Sequence, residues 1–376
     1  MQWDIFCRVV DNFGDIGVSW RLARALAQRS PHAVRLFVDD WATLRRLLPR
    51  APAVPAPFVD SKVSVQPWAV AEEPTTLADC VIEAFACALP PIYLTAMRDA
   101  QSPPVWINLE YLSAEDWIED CHGLPSPDPA TGLAKTFFFP GFTARSGGLI
   151  REPDVFSRRD AAQAETGRHQ WLAAHGGADV SASAQWISLF AYDNPRLVPR
   201  LTDWQVSATP VVLWVPEGTA WRGLMPWLGE SHAAQTCWQR GALTVCALPF
   251  LSMADYDRLL AMCDVNFVRG EDSFVRAQWA ARPFVWQAYP QADAAHVDKM
   301  DAFLRRYLTT ADTESAAAIE AMWRDWNGLG AQEQAWQRFS AVLPTLRQHA
   351  RQWCDQIAAT DGLVERLVKM VQPDVK

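Results

Sequence analysis

The feature that most constrains this chain is an alternation of apolar runs and helix-spaced segments, made twice along its length. In the first half, WDIFCRVV, AVRLFVDD, ADCVIEAF and PVWINLEYL read as strands. Between them, GVSWRLARALAQRS, WATLRRLLP and PPIYLTAMRDA have helical spacing, the first with Val18, Leu22, Ala25 and Leu26 on one face. Such alternation predicts a parallel sheet covered by helices. From about residue 185 the pattern restarts with QWISLFAY, TPVVLWVPEG, LTVCALPF, DVNFVRG and PFVWQAY as strands, and NPRLVPRLTDW and MADYDRLLAMC as helices. A chain of 376 residues is long enough for two cores. The expected fold is therefore α/β, with two Rossmann-like domains whose parallel sheets face each other across a cleft. The first covers residues 1–153 and the second 154–355; the amphipathic end, 356–376, packs back on the first.

Two segments break the alternation. Residues 120–150, DCHGLPSPDPATGLAKTFFFPGFTARSGGLI, are rich in proline, glycine and serine and read as a long irregular excursion, the kind of loop that tends to carry function. The segment REPDVFSRRDAAQAETGRHQWLAAHGGA then supplies a polar helix and a Gly-Gly break, suited to an inter-domain connection.

Charge and cysteine usage narrow the class. A net charge of −9 opposes general nucleic-acid binding, which needs a basic face. The eight cysteines include no CxxC pair, so zinc ribbons and redox motifs are not expected, and reduced cytosolic thiols are. No run approaches the roughly 20 apolar residues of a membrane span, so the expected location is cytoplasmic. The nineteen tryptophans are mostly core residues, with a minority left for stacking on a sugar, a base or a partner.

Ligands of open parallel sheets bind beyond the carboxyl ends of the strands, and the chemistry-bearing stretches fall there. The loop after the first strand, DNFGDIG, holds Asp11, Asn12, Phe13, Gly14, Asp15 and Gly17. Its glycines would let backbone approach a ligand, and the following helix start favours an anion. Equally, Asp15 could be a helix cap and Asp11 a turn residue. A second stretch, residues 263–291, runs from a strand ending in Arg269 into a helix opened by Glu271, Asp272 and Ser273, and closes on a strand ending in Gln287 and Tyr289. That helix start can receive phosphate oxygens, while one of its carboxylates accepts from sugar hydroxyls; an ordinary acidic first turn is the alternative. A third, SLFAYDNPR, places Phe190 and Tyr192 where a flat base could stack. The seven histidines form no metal or triad spacing, and no metal is expected.

Together, DNFGDIGVSWRLARALA, WINLEYLSAEDWIEDCHGLPSP, KTFFFPGFT, GGLIRE, SLFAY and FVRGEDSFVRAQWAARPFVWQAYPQ resemble the signature blocks of the bacterial protein-arginine rhamnosyltransferases, the EarP family. The resemblance runs from Asp11 to about Gln291. It implies an inverting enzyme of the GT-B fold that moves L-rhamnose from dTDP-β-L-rhamnose to an arginine of translation elongation factor P, with no cofactor required. Carried over, Asp15 becomes general base and Asp11 the carboxylate orienting the guanidinium, in an order that could be reversed. Phe190 and Tyr192 hold the thymine, and Glu271, Asp272 and Ser273 bind ribose and diphosphate beside Gln287 and Tyr289. Arg269 or Arg276 helps the helix start stabilise the leaving dTDP. The chemistry has a reason: a guanidinium is protonated near neutrality and a poor nucleophile, so a carboxylate must orient it and draw off its proton. The acceptor is a folded protein, and Trp106, Trp117 and Phe137–Phe139 are the docking candidates. The alternatives are a GT-B sugar-nucleotide enzyme with a small-molecule acceptor, an epimerase, or a non-catalytic protein binding a nucleotide or a translation factor.

Overall fold

The structure, a computed structural model, describes all residues except 11–12, 30, 74–75, 177–179, 230–235, 292–293, 331 and 373–376. The chain divides into two units, Met1–Pro153 with Ala358–Lys376, and Asp154–Ile357.

The first unit contains β1 (Gln2–Cys7), β2 (Ala33–Val38), β3 (Phe58–Asp60), β4 (Val63–Pro67), β5 (Cys80–Ala84), β6 (Val105–Leu109), β7 (Pro125–Pro127) and β8 (Ala134–Phe138), in the sheet order β3-β4-β2-β1-β5-β6-β8-β7. The short edge strands β3 and β7 run antiparallel to their neighbours and the remaining pairs are parallel. Taken in chain order, the six parallel strands lie 3-2-1-4-5-6, and the order reverses between β1 and β5. Such a reversal opens a crevice at the strands' carboxyl ends. Strand β1 is buried on both faces, with Trp3, Ile5, Phe6 and Cys7 inaccessible, as the central strand of a helix-covered sheet must be. Phe6 lies opposite Phe37 of β2 and stacks on it with ring centroids 4.6 Å apart. Asp4 is buried in the same strand, and its desolvation is offset by Arg35, which grips it through Nε at 2.7 Å and Nη2 at 2.5 Å, and by Tyr93, which donates its hydroxyl.

The excursion at 120–150 is more ordered than its composition suggests. Its centre is the β7–β8 hairpin, and β8 takes the TFF sequence into the sheet beside β6. Trp106 is not a docking residue: it is buried, as are Phe138 and Phe139, while Trp117 stays half-exposed against Phe139. The cause for Trp106 is that β6 lies inside the sheet and is buried from Trp106 to Leu109 on both faces. The loop that follows is clipped by the C-terminal helix Leu363–Val371, whose Arg366 donates to the carbonyls of Thr143 and Ser146 at 2.7 and 2.5 Å. Gly148 sits at φ +72°, where a Cβ would fall 2.8 Å from the Asp361 carbonyl oxygen. Only glycine meets both conditions.

The second unit contains β9 (Gln185–Leu189), β10 (Val211–Pro216), β11 (Cys237–Arg240), β12 (Leu243–Leu248), β13 (Val265–Arg269) and β14 (Phe284–Gln287), ordered β11-β12-β10-β9-β13-β14. All pairs are parallel except β11 with β12, and the parallel strands lie 3-2-1-4-5, reversing between β9 and β13. Tryptophan does much of the filling here: Trp171, Trp186 and Trp214 share one cluster, and Trp204, Trp326 and Trp336 ring Phe267 on the other. The expectation of reduced thiols throughout fails at β11–β12. Cys237 and Cys246 face each other across that ladder and are joined as a disulfide. A spacing of nine residues in the sequence does not reveal that a hairpin brings them opposite one another.

Candidate functional site

At the switch point of the first unit, the chain leaves β1 and enters the helix Phe13–Ala27. The helix begins at Phe13, so Phe13, Gly14 and Gly17, expected as loop backbone, are its first turns instead. Asp11 and Asn12 lie outside the described residues. Asp15 is 2% exposed. Its Oδ2 accepts the Val10 N–H at 2.8 Å, and its Oδ1 accepts the Tyr111 hydroxyl at 3.2 Å. The first bond makes Asp15 a clamp on the loop that precedes its own helix; it is not the helix cap of the alternative reading, since it lies within the first turn and accepts from five residues back. The second comes from 96 residues away and serves no cap. Tyr111 follows β6 and stacks on Phe85 at 4.4 Å and 16°. Phe85 follows β5 in the left-handed region, φ 56°, with Ala86 and Ala88 also left-handed. Three such residues in four positions strain a loop unless its surroundings hold it. Here Glu83, buried at the end of β5, takes the Ala88 N–H at 3.0 Å and the Lys135 ammonium at 3.1 Å. Beneath the site, burial pushes the Cys7 thiol well up, with Asp15 adding to the effect, so it stays a neutral packing group.

At the switch point of the second unit, β9 is followed by Phe190, Ala191 and Tyr192, and β13 ends in Arg269. Arg269 is 9% exposed and its guanidinium lies over both rings, 4.6 Å from the Phe190 centroid and 4.3 Å from that of Tyr192. The aromatic pair therefore presents a cation rather than an empty slot. Gln287 at the end of β14 accepts the Tyr192 N–H at 2.9 Å, and the largely exposed Tyr289 meets Tyr192 edge to face at 5.3 Å. Glu271 and Asp272, both partly exposed, occupy the cap and first turn of the helix Asp272–Trp279.

Two expected residues point elsewhere. Ser273 is buried and its hydroxyl bonds back to the Arg269 carbonyl while accepting the Arg269 N–H at 3.2 Å, so it fastens the turn. Arg276 is drawn to Asp257, which it grips through Nε at 3.0 Å and Nη2 at 2.9 Å on the helix Met253–Met262. A bidentate guanidinium–carboxylate pair with the guanidinium this buried holds its partner in place of a ligand. Tyr256, one residue before Asp257, packs on Phe190 at 5.5 Å, and burial pushes its hydroxyl well up so that it remains neutral. Sequence reading missed Tyr111 and Tyr256. Tyr111 carried one usable signal, its place at the carboxyl end of a parallel strand; Tyr256 carried none. Among the described residues no group of three or more His, Cys, Asp or Glu is placed to hold a metal ion, and no helix is long and apolar enough to cross a membrane.

The family model for the elongation factor P (EF-P) rhamnosyltransferase EarP matches residues 3–372. The chain belongs to this family. It is 49% identical to the protein-arginine rhamnosyltransferase of Pseudomonas putida over 97% of each chain, and 44% identical to that of Pseudomonas aeruginosa over 98% of each. A solved structure described as the basis for EarP-mediated arginine glycosylation of EF-P is 35% identical, with a TM-score of 0.71 over 100% of this chain and 99% of its own. The spinosyn rhamnosyltransferase SpnG and Acinetobacter baumannii MurG, at 12% and 13% identity and TM-scores of 0.53 and 0.52, share the fold alone. The architecture is thus the GT-B fold, and the chain is a glycosyltransferase of the protein-arginine rhamnosyltransferase family.

Proposed function

We propose that this enzyme transfers L-rhamnose from dTDP-β-L-rhamnose to an arginine side chain of elongation factor P, inverting the anomeric centre, with Asp15 as general base. The observation that carries the reading is the buried Asp15 carboxylate held at the β1 switch point from two directions, by Val10 and by Tyr111. A carboxylate can accept roughly four hydrogen bonds. On this reading Asp15 keeps the bonds from Val10 and Tyr111 that aim it while taking an N–H of the incoming guanidinium. As that nitrogen attacks the anomeric carbon, its proton passes to Asp15, and the C–O bond to dTDP breaks with its electron pair leaving on the diphosphate. Asp11 is the proposed partner that brackets the planar fork. On the second unit, the thymine lies along Phe190 and Tyr192, and Arg269, preset by both rings, meets the diphosphate. Glu271 and Asp272 accept from the sugar and ribose hydroxyls, Tyr289 lies beside them, and Gln287 fixes the Tyr192 backbone. A fixed guanidinium and a helix start can carry the charge of the leaving dTDP without a metal.

The test is to incubate the protein with dTDP-β-L-rhamnose and elongation factor P and to measure the factor's intact mass and the modified residue. One deoxyhexose on a single arginine, with the anomeric configuration inverted by NMR, is the expected result. No addition, with both proteins folded and donor binding demonstrated, overturns the assignment of the acceptor.

A further inference from the structure

The second unit carries another concave surface, at the opposite ends of the same strands. A pocket of about 710 Å³ opens where β9 starts at Gln185 and β13 is entered through Asp264, with Ala208 and Thr209 leading into β10. Phe190, Tyr192 and Arg269 sit at the carboxyl ends. Five residues of β9 separate the two ends, about 16 Å at roughly 3.3 Å per residue.

The charged residues lining the pocket, Arg168, Arg347, Asp203 and Asp264, balance, and the excess of positive charge around Asp264 comes from a neighbour outside the lining. Asp264, 6% exposed, accepts Arg168 Nη2 at 2.9 Å and Arg347 Nη2 at 2.8 Å on the same oxygen, and the Trp186 N–H at 2.8 Å on the other. A third guanidinium, Arg282, bonds the Ala261 carbonyl at 3.1 Å, and the positive charges of Arg347 and Arg168 act on it. Two guanidinium groups thus pair with Asp264, and its charge also acts on a third, Arg282, which lies outside the pocket lining. The other acid of the lining, Asp203, is matched by its own arginine, Arg200, at 2.7 Å. Arg168 is fixed in place: two of its nitrogens reach the Met262 carbonyl, and its plane lies 4.8 Å over the Trp186 ring. Arg347 Nε is buried without a hydrogen-bond partner among the described residues. The hydroxyls of Ser183, Ser207, Thr209 and Ser340 also line the pocket.

Guanidinium groups anchored on one side, short by a counter-charge and edged by hydroxyls are suited to a doubly charged phosphoryl group. Asp264 does not repel such a group strongly, since its own charge is spent on two of the three arginines. We propose that this pocket is a second ligand site, which takes the phosphoryl dianion of free phosphate or of a small phosphate ester between Arg168 and Arg347. The site is separate from the proposed donor site and needs no part of it.

The experiment is calorimetric titration of the full-length protein with inorganic phosphate and, in parallel, with ribose 5-phosphate, repeated on Arg347→Gln, on Arg168→Gln/Arg347→Gln and on Arg269→Ala. The proposal expects saturable binding that weakens about tenfold in Arg347→Gln and more in the double variant, because each lost charge-assisted bond is worth about 1.5 kcal/mol or more. Arg269→Ala removes only what phosphate the proposed donor site takes, and should keep the binding that Arg347→Gln weakens. Measured in Arg269→Ala, where the donor site's contact to the diphosphate is gone, tighter binding of ribose 5-phosphate than of phosphate identifies the ligand as an ester, and equal binding identifies free phosphate. Arg347 is partly exposed, and the melting temperature of its variant, measured alongside, shows that it is folded. Absence of binding, binding unchanged in Arg347→Gln, or binding lost only in Arg269→Ala overturns the proposal.

Discussion

The two units use one strand order to opposite chemical ends. Each has a central buried strand, β1 or β9, beside the point where the order reverses, and each presents its chemistry where that strand ends. In the first unit the chain leaves β1 into a helix whose first turn carries a buried carboxylate, and a tyrosine from beyond β6 steadies it. In the second the chain leaves β9 with two aromatic residues, and an arginine from β13 lies across them. The first is suited to receive a cation with acidic protons, the second to receive an aromatic anion. The strand order decides where a ligand binds, and a handful of side chains at the strand ends decide which ligand.

The comparison breaks most visibly at Asp15. Asp15→Asn keeps the shape and the Val10 contact but removes the proposed base, and should lower kcat by about 10³-fold while the affinity for dTDP stays within twofold, since general-base catalysis contributes about 10²–10⁴. A steady-state rate by intact mass, with dTDP titration beside it, checks both halves; a matching loss of dTDP binding would show that the two chemistries are not divided between the units as described. Arg269→Ala is the mirror experiment. Loss of a charge-assisted contact to the diphosphate, about 2 kcal/mol, should raise the donor KM roughly 30-fold and leave the acceptor KM unchanged. If the acceptor KM rises instead, Arg269 belongs to the other half of the reaction. The smallest effect is expected of Tyr111→Phe. It keeps the stack on Phe85 and deletes one neutral-donor hydrogen bond to Asp15, worth about 1 kcal/mol, so kcat should fall about fivefold with both KM values held. On the proposed mechanism Tyr111 is a positioning residue, and a change in KM without a change in kcat would remove that role.

How far the sequence reaches can be followed through the helix Asp272–Trp279. Its position after a strand, its acidic opening and its place at a strand's carboxyl end were all legible, because each follows from local periodicity and from the rule for parallel sheets. The direction of its side chains was not. Arg276 and Ser273 have the right chemistry for a phosphate, yet Arg276 turns to Asp257 and Ser273 to its own turn. The same holds at Gly14 and Gly17, where a glycine-rich loop was expected and the helix simply begins earlier. Glycine lowers helix propensity by about 1 kcal/mol, and burial of Ile16, Val18 and Trp20 outweighs it.

By itself the sequence determined the alternation, hence two parallel sheets, hence candidate sites at the ends of β1, β9 and β13. Those properties arise from spacing within some ten residues, and spacing is what a sequence displays. Only the tertiary structure decided that Tyr111 reaches Asp15, that Arg269 lies across Phe190 and Tyr192, that Cys237 meets Cys246, and that Arg168 and Arg347 converge on Asp264. Each of these pairings joins separate elements, most of them far apart along the chain. Which partner a side chain meets then depends on sheet order and packing, which no local pattern records.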